Sequence, residues 1–232
     1  MQNNFRAGAL AAAALLAACL AAGAQQPAPA QGGAAQPARP PVDIWSDEFD
    51  GDKLDESKWE LYTFDGAGGK AEVKDKQLRL RGAADSRSGV RTKTMFSGDR
   101  FFVEAALTKV GERPPLPGQT GMQPGLAIVT VLFDGNPANR IEWILRSDGQ
   151  FEAWVSVDGR MERVDNRNLA TKERAPRLGV ARRGEKVFFM LNGQVGLEHT
   201  LRRTWPSFKV MLYGFGTSEN NWDAVVVQTL KQ

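Results

Sequence analysis

The chain holds one cysteine and one histidine in 232 residues. A single cysteine excludes an internal disulfide framework. A single histidine excludes a multi-histidine zinc site, and leaves His199 as the only imidazole that a Ser-His-Asp triad could use. An excess of charge of one sign is lacking as well. Residues 1–41 contain two bases, Arg6 and Arg39, and no acid, so the remainder carries 28 bases against 27 acids. That balance gives no global basic field to recruit phosphates, and no nucleic-acid partner is expected. No apolar run reaches the ~20 residues of a membrane-spanning helix. From Asp43 onward there is almost no helical periodicity. What remains, 42% hydrophobic residues over this length, is enough for one large all-β domain with a real core.

The N-terminus reads as an address. A polar, positive start (Asn3, Asn4, Arg6) precedes an apolar run over 7–18, too short to span a bilayer. The run ends in Leu16-Ala17-Ala18-Cys19, which resembles the lipobox of bacterial lipoproteins, where the cysteine is lipidated and becomes the mature N-terminus. The expected organisation is a lipoprotein signal peptide at 1–18 with lipidation at Cys19. The alternative is ordinary cleavage after Ala22-Gly23-Ala24 and a secreted protein. Residues 19–41, built of Ala, Gln, Gly and Pro, cannot bury enough apolar surface to offset ordering entropy and are expected to be a flexible tether. The implied location is the bacterial cell envelope, periplasmic or outer-membrane, with the membrane contacted through the lipid anchor only.

Residues 42–232 read as one domain of short strands. Runs of alternating character at 101–110, 126–133, 140–146, 151–157, 186–191, 208–213 and 224–230 are separated by turn signals such as Asp148-Gly149, Asp158-Gly159 and Asn192-Gly193. One helical turn is expected at 55–59 with Asp55 as N-cap, and 111–124, with four prolines, as a surface loop. The hairpin of 140–146 and 151–157 fixes its own register. A two-residue turn at Asp148-Gly149 would set Trp143 opposite Trp154. A three-residue loop, with Gly149 left-handed, sets Trp143 opposite Ala153 and Glu142 opposite Trp154. Only the second gives one wholly apolar face, and the buried face decides register. The other face then carries Arg140, Glu142, Glu152, Trp154 and Ser156 beside Ile144. Such a polar-aromatic face suits a sugar; an ordinary solvated sheet face looks the same.

The opening Ile44-Trp45-Ser46-Asp47-Glu48-Phe49-Asp50-Gly51, continued by Leu54-Asp55-Glu56-Ser57-Lys58-Trp59, resembles concanavalin A-like jelly-roll domains, above all the laminarinase and lichenase glycoside hydrolases. Ser88-Gly89-Val90-Arg91, Gly98-Asp99-Arg100-Phe101 and Trp222-Asp223-Ala224-Val225 agree with later strands of that family in order, and Asn192-Gly193 with the related laminin-G-like domains. The resemblance implies a jelly-roll β-sandwich and a glycan partner. It also exposes a departure. The family places its nucleophile, helper and acid/base on a Glu-x-Asp-x-Glu or Glu-x-Asp-x-x-Glu strand. Here Arg140 stands for the nucleophile, Glu142 for the helper, and Ile144 or Leu145 for the acid/base. An arginine cannot attack an anomeric carbon and an aliphatic chain cannot protonate a leaving group. No catalytic residue is therefore assigned.

The leading expectation is a non-catalytic carbohydrate-binding or glycan-associated envelope lipoprotein using Arg140, Glu142, Glu152 and Trp154. The alternative is a diverged hydrolase pairing Glu142 with Glu104 or Glu152, and a third reading is a protein-interaction module. No cofactor is expected beyond a structural calcium, which the resemblance implies at Asp223, the one side chain that carries over. His199 reads as a surface or edge residue. Trp45, Trp59 and Trp222 read as packing residues, Trp205 as a loop aromatic open to stacking on a sugar. The basic stretch of Arg163, Arg167, Lys172, Arg174 and Arg177 reads as a solvated loop.

Overall fold

The computed structural model describes residues 42–84, 86–115, 118–164, 169–173 and 175–230. The expectations for the signal segment, Cys19 and the tether lie outside these residues, as do those for Arg167 and Arg174.

Among the described residues sixteen strands, numbered along the chain, pair into two antiparallel sheets. The first sheet holds β1 (Val42–Asp47), β3 (Lys70–Lys74), β4 (Gln77–Arg81), β7 (Arg100–Val110), β12 (Arg177–Arg183), β13 (Lys186–Leu191), β14 (Gln194–Thr200) and β16 (Glu219–Leu230). Its order is β14-β13-β12-β7-β16-β4-β3, and β1 lies beside β4 along the flank of β16 that faces away from β7. The second sheet holds β2 (Trp59–Asp65), β5 (Arg87–Thr92), β6 (Phe96–Ser97), β8 (Leu126–Phe133), β9 (Arg140–Arg146), β10 (Phe151–Val157), β11 (Arg160–Arg163) and β15 (Ser207–Phe215). It runs β11-β10-β9-β8-β15-β5-β2, with β6 paired to β15.

Period-two alternation puts one side of each sheet into a common core. Phe101 and Val103 of β7 and Val225 and Val227 of β16 meet Val129, Val131, Ile141, Trp143 and Val210 of the second sheet in a single cluster. Hairpin turns at Asp158-Gly159 and Asn192-Gly193 hold both residues at positive φ (51° and 81°, 50° and 79°), the twist that joins right-handed strands. The strands expected at 126–133, 140–146, 151–157 and 186–191 have those bounds; the other three are longer, as β7, β15 and β16. Asp55 caps one turn, its carboxylate accepting from the Ser57 N–H (2.9 Å) and its carbonyl from the Trp59 N–H (3.0 Å).

The first strand ends at Asp47. The Asp47 carboxylate takes the Phe49 N–H (2.9 Å) and the Trp59 indole N–H (2.8 Å), and Phe49 turns into the core with φ at 49°. Trp205 is not an open loop aromatic. It is buried, stacked on Phe133 at 4.2 Å and 7°, with the Arg182 guanidinium 5.5 Å from its ring.

Candidate functional site

The β9–β10 hairpin adopts the three-residue loop. The Arg146 N–H donates to the Gln150 carbonyl (2.9 Å), and Gly149 stands at φ 83°, where an added Cβ would meet the Thr171 carbonyl oxygen at 2.4 Å. Trp143 faces Ala153 and Glu142 faces Trp154. Arg140, Glu142, Glu152 and Trp154 therefore share the outer face of the second sheet.

That face is not an open platform. β2 and β9 are separated by β8, β15 and β5, roughly 19 Å in a flat sheet of ~4.8 Å spacing, yet the Phe64 ring of β2 lies 5.2 Å from the Arg140 guanidinium. The sheet curls, and its outer face is a hollow. Ile128, Leu132, Ile144, Met211 and Tyr213 line it as a second apolar cluster, with Tyr62, Phe64 and Trp154 half-buried against them. At its centre Glu142 is 3% exposed and Arg140 7%. One carboxylate oxygen, Oε1 of Glu142, accepts from Arg140 Nε (2.6 Å) and from the Tyr213 hydroxyl (2.6 Å). Arg140 also donates to the Pro137 carbonyl and reaches Met161 Sδ at 3.0 Å. Burial, and then the Glu142 charge, push the Tyr213 phenol well above its ordinary range; Arg140 and Arg87 act the other way.

Around the rim, charges pair among themselves. Glu152 accepts from Arg146 Nη1 (3.4 Å) through one oxygen and from the Trp154 indole N–H (3.1 Å) through the other. Arg91 sits 4.0 Å over the Tyr62 ring and bonds Glu60 (3.0 Å), which Lys209 also reaches (3.1 Å). Two antiparallel sheets packed face to face, the outer one curled into a hollow, with the first strand paired to the last, define the architecture. The fold is the concanavalin A-like jelly roll.

Solved structures share it. A non-specific endo-β-1,3(4)-glucanase of family GH16 superposes with a TM-score of 0.63 at 12% identity, over 84% of this chain and 95% of that one. The endo-β-1,3-glucanase of Pyrococcus furiosus gives 0.59 at 14% (81% and 94%), and the laminarinase catalytic domain of Thermotoga petrophila 0.58 at 12% (84% and 100%). No family model matches the sequence, and no curated protein does. At such identities the likeness is one of fold.

On this jelly roll, Glu104 does not join Glu142. It lies on β7 in the opposite sheet, and because Phe101, Val103 and Ala105 point into the core, Glu104 points outward. It is 4% exposed, 3.7 Å from Arg177; burial raises its proton affinity and Arg177 partly opposes this. His199 is half-buried on β14 and lines a cleft of about 710 Å³ with Val155, Arg160 and Glu162; burial lowers its proton affinity while Glu162 acts to raise it. Trp59 and Trp222 are buried, and Trp45 packs edge-on against Trp59 at 5.4 Å. Asp223 is half-buried and its carboxyl is raised by burial and by the nearby Asp50 and Glu48 charges. Among the described residues no group of three or more His, Cys, Asp or Glu side chains is placed to hold a metal ion.

Sequence reasoning missed Tyr62, Phe64, Arg91 and Tyr213. Alternation within 208–213 does place Met211 and Tyr213 on one face, but which strands flank β9 is a matter of sheet order, and local pattern carries no record of it.

Proposed function

We propose that this protein is a non-catalytic, glycan-binding lipoprotein of the bacterial cell envelope. The observation that carries the non-catalytic part is the state of Glu142. Retaining hydrolysis needs two carboxyls about 5–5.5 Å apart and free to reach a sugar. Among the described residues Glu142 is the one carboxylate at the centre of the hollow, and it is committed to Arg140 and Tyr213. Glu152 has both oxygens engaged, and Glu104 belongs to the other sheet. Glycan binding is supported by the likeness of fold and by half-exposed aromatic rings beside paired charges, the combination that stacks on a sugar's apolar face and bonds its hydroxyls.

Attachment through a lipid on Cys19 is part of the same proposal, supported by the position of the single cysteine directly after the apolar run. So is a structural calcium at Asp223: a hard cation there would relieve the mutual repulsion of Asp223, Asp50 and Glu48, with backbone oxygens supplying the other ligands.

The deciding experiment is a glycan array on the purified protein, run beside a reducing-sugar assay on laminarin and lichenan. Binding without sugar release is expected, and Trp154→Ala should weaken it about tenfold or more, the loss of one stacked aromatic. Hydrolysis that disappears in Glu142→Gln would replace this reading with an enzyme. Binding indifferent to Trp154→Ala would place the site elsewhere.

A further inference from the structure

Phe64 stands where the pairing of β2 with β5 slips, between Thr63 and Asp65. A bulge of this kind bends a strand and re-aims one side chain. Here it aims an aromatic ring over the hollow. The ring centroid lies 5.2 Å from that of Tyr213 and 5.4 Å from that of Tyr62, and the Arg140 guanidinium stands 5.2 Å away.

The side chains on this face are more polar than the ring set among them. Arg140 and Glu142 lie at its centre, and Thr130, which pairs with Glu142 on β8, is fully buried with a hydroxyl that has no hydrogen-bond partner. Phe64 offers none of them a hydrogen bond. An unpartnered buried hydroxyl is costly, and this one shares the outer face with Glu142 and Arg140, where a ligand with donors or acceptors at its edge would satisfy it.

The ring is held from outside. The Asp65 carboxylate accepts from Arg87 Nε (2.9 Å), Arg87 Nη2 (2.6 Å) and the Arg87 backbone N–H (3.1 Å). Asp65 is exposed, so this clamp sits in water, where an ion pair is worth little and salt weakens it.

We propose that Phe64 is an internal plug in the glycan-binding hollow, latched by Asp65 and Arg87, and that a hexopyranose unit binds by displacing it. This rests on the glycan-binding reading. A pyranose ring is a disc of similar size to a phenyl ring, apolar on its faces and hydroxylated at its edge. It covers Tyr213 as Phe64 does, and it also presents hydroxyls to Arg140, Glu142 and Thr130. The closed state keeps these groups from other partners; opening moves only the β2 corner.

The test compares the full-length protein with Phe64→Ala and with Asp65→Asn, which keeps the ring and loosens the latch, all in a Tyr62→Phe background so that Tyr213 is the only tyrosine. Two quantities are read: ultraviolet titration of Tyr213, and calorimetric affinity for laminarihexaose. Removing the plug should let Tyr213 titrate at lower pH while the protein stays folded, and should tighten binding at least tenfold, with Asp65→Asn between. If the parent binds and neither variant binds tighter or shifts Tyr213, the plug is refuted and the glycan reading survives. If the variants expose Tyr213 but none of the three binds this or any arrayed glycan, the glycan reading falls and takes the displaced-plug proposal with it.

Discussion

Removing Arg140 should cost far more than removing a surface arginine, because it leaves Glu142 as an uncompensated charge in the hollow. Arg140 and Glu142 are 7% and 3% exposed and 2.6 Å apart. Breaking such a buried pair from one side costs about 3–5 kcal/mol, whereas replacing both partners by neutral groups of similar volume is often close to neutral. Arg140→Met keeps an apolar stem of similar length and removes the cation that stands 5.2 Å from the Phe64 ring. For a domain of this size, with ~2–4 °C of melting temperature per kcal/mol, the expected fall is roughly 6–20 °C. In Glu142→Gln the Tyr213 hydroxyl keeps an acceptor, and the loss should be smaller. The double variant Arg140→Met/Glu142→Gln should recover much of the stability lost in Arg140→Met, giving a coupling of about 1–3 kcal/mol in a double-mutant cycle. Chemical denaturation followed by tryptophan fluorescence measures all four corners. If Arg140→Met costs under about 1 kcal/mol, or if the two losses simply add, the pair is not the buried, mutually dependent unit described above.

Glu104→Gln should raise the melting temperature at pH 7. Burial raises the Glu104 proton affinity, so the stability linked to its protonated form is complete below the ordinary carboxylate pKa of about 4.3 and is lost as pH rises through the higher folded value; the advantage of Gln should vanish below about pH 4, and a pH-independent effect would contradict this. Gly89→Ala should cost about 3 kcal/mol, because its Cβ would stand 2.0 Å from the Leu212 carbonyl oxygen and 2.6 Å from the Tyr213 Cα, forcing β5 and β15 apart; an unchanged unfolding midpoint would be the adverse result. Intact mass of membrane-extracted protein should show acyl groups on Cys19, while a soluble mature chain beginning at Gln25 would end the lipoprotein proposal.

The hairpin that carries Arg140, Glu142, Glu152 and Trp154 was legible in the sequence because its determinants are local. Alternation assigned the faces, and the length of the Ser147–Gly149 loop followed from requiring one apolar side. The sealing of Glu142 was not legible. It depends on Tyr213 and Phe64, which lie 71 residues after Glu142 and on a bulge near the start of the fold, and on a curvature that brings β2 over β9. Trp205 misled for the same reason. Its neighbours Arg202, Arg203, Thr204 and Pro206 suggest a wet loop, while the stack that buries it comes from Phe133, far back on β8. Glu104 could have been excluded from the sequence alone, since Phe101, Val103, Ala105 and Leu107 already fix which side of its strand is buried.

The placement of β16 sets the order of events in folding. It is the last of the sixteen strands, yet it lies inside the first sheet, paired to β7 on one flank and to β1 and β4 on the other. Until residues 219–230 are available, β1 has no partner in that sheet and β7 lacks one of its two. Strand pairs this distant in sequence form late, since the loop they close must be ordered before their contacts reward it. The first sheet of a nascent chain therefore stays incomplete until these last residues are made, although local hairpins such as β8-β9-β10 and β12-β13-β14 need none of them. The export proposed above would profit from such lateness: a domain whose first sheet is incomplete until its last strand has followed the rest stays easier to thread through a narrow channel.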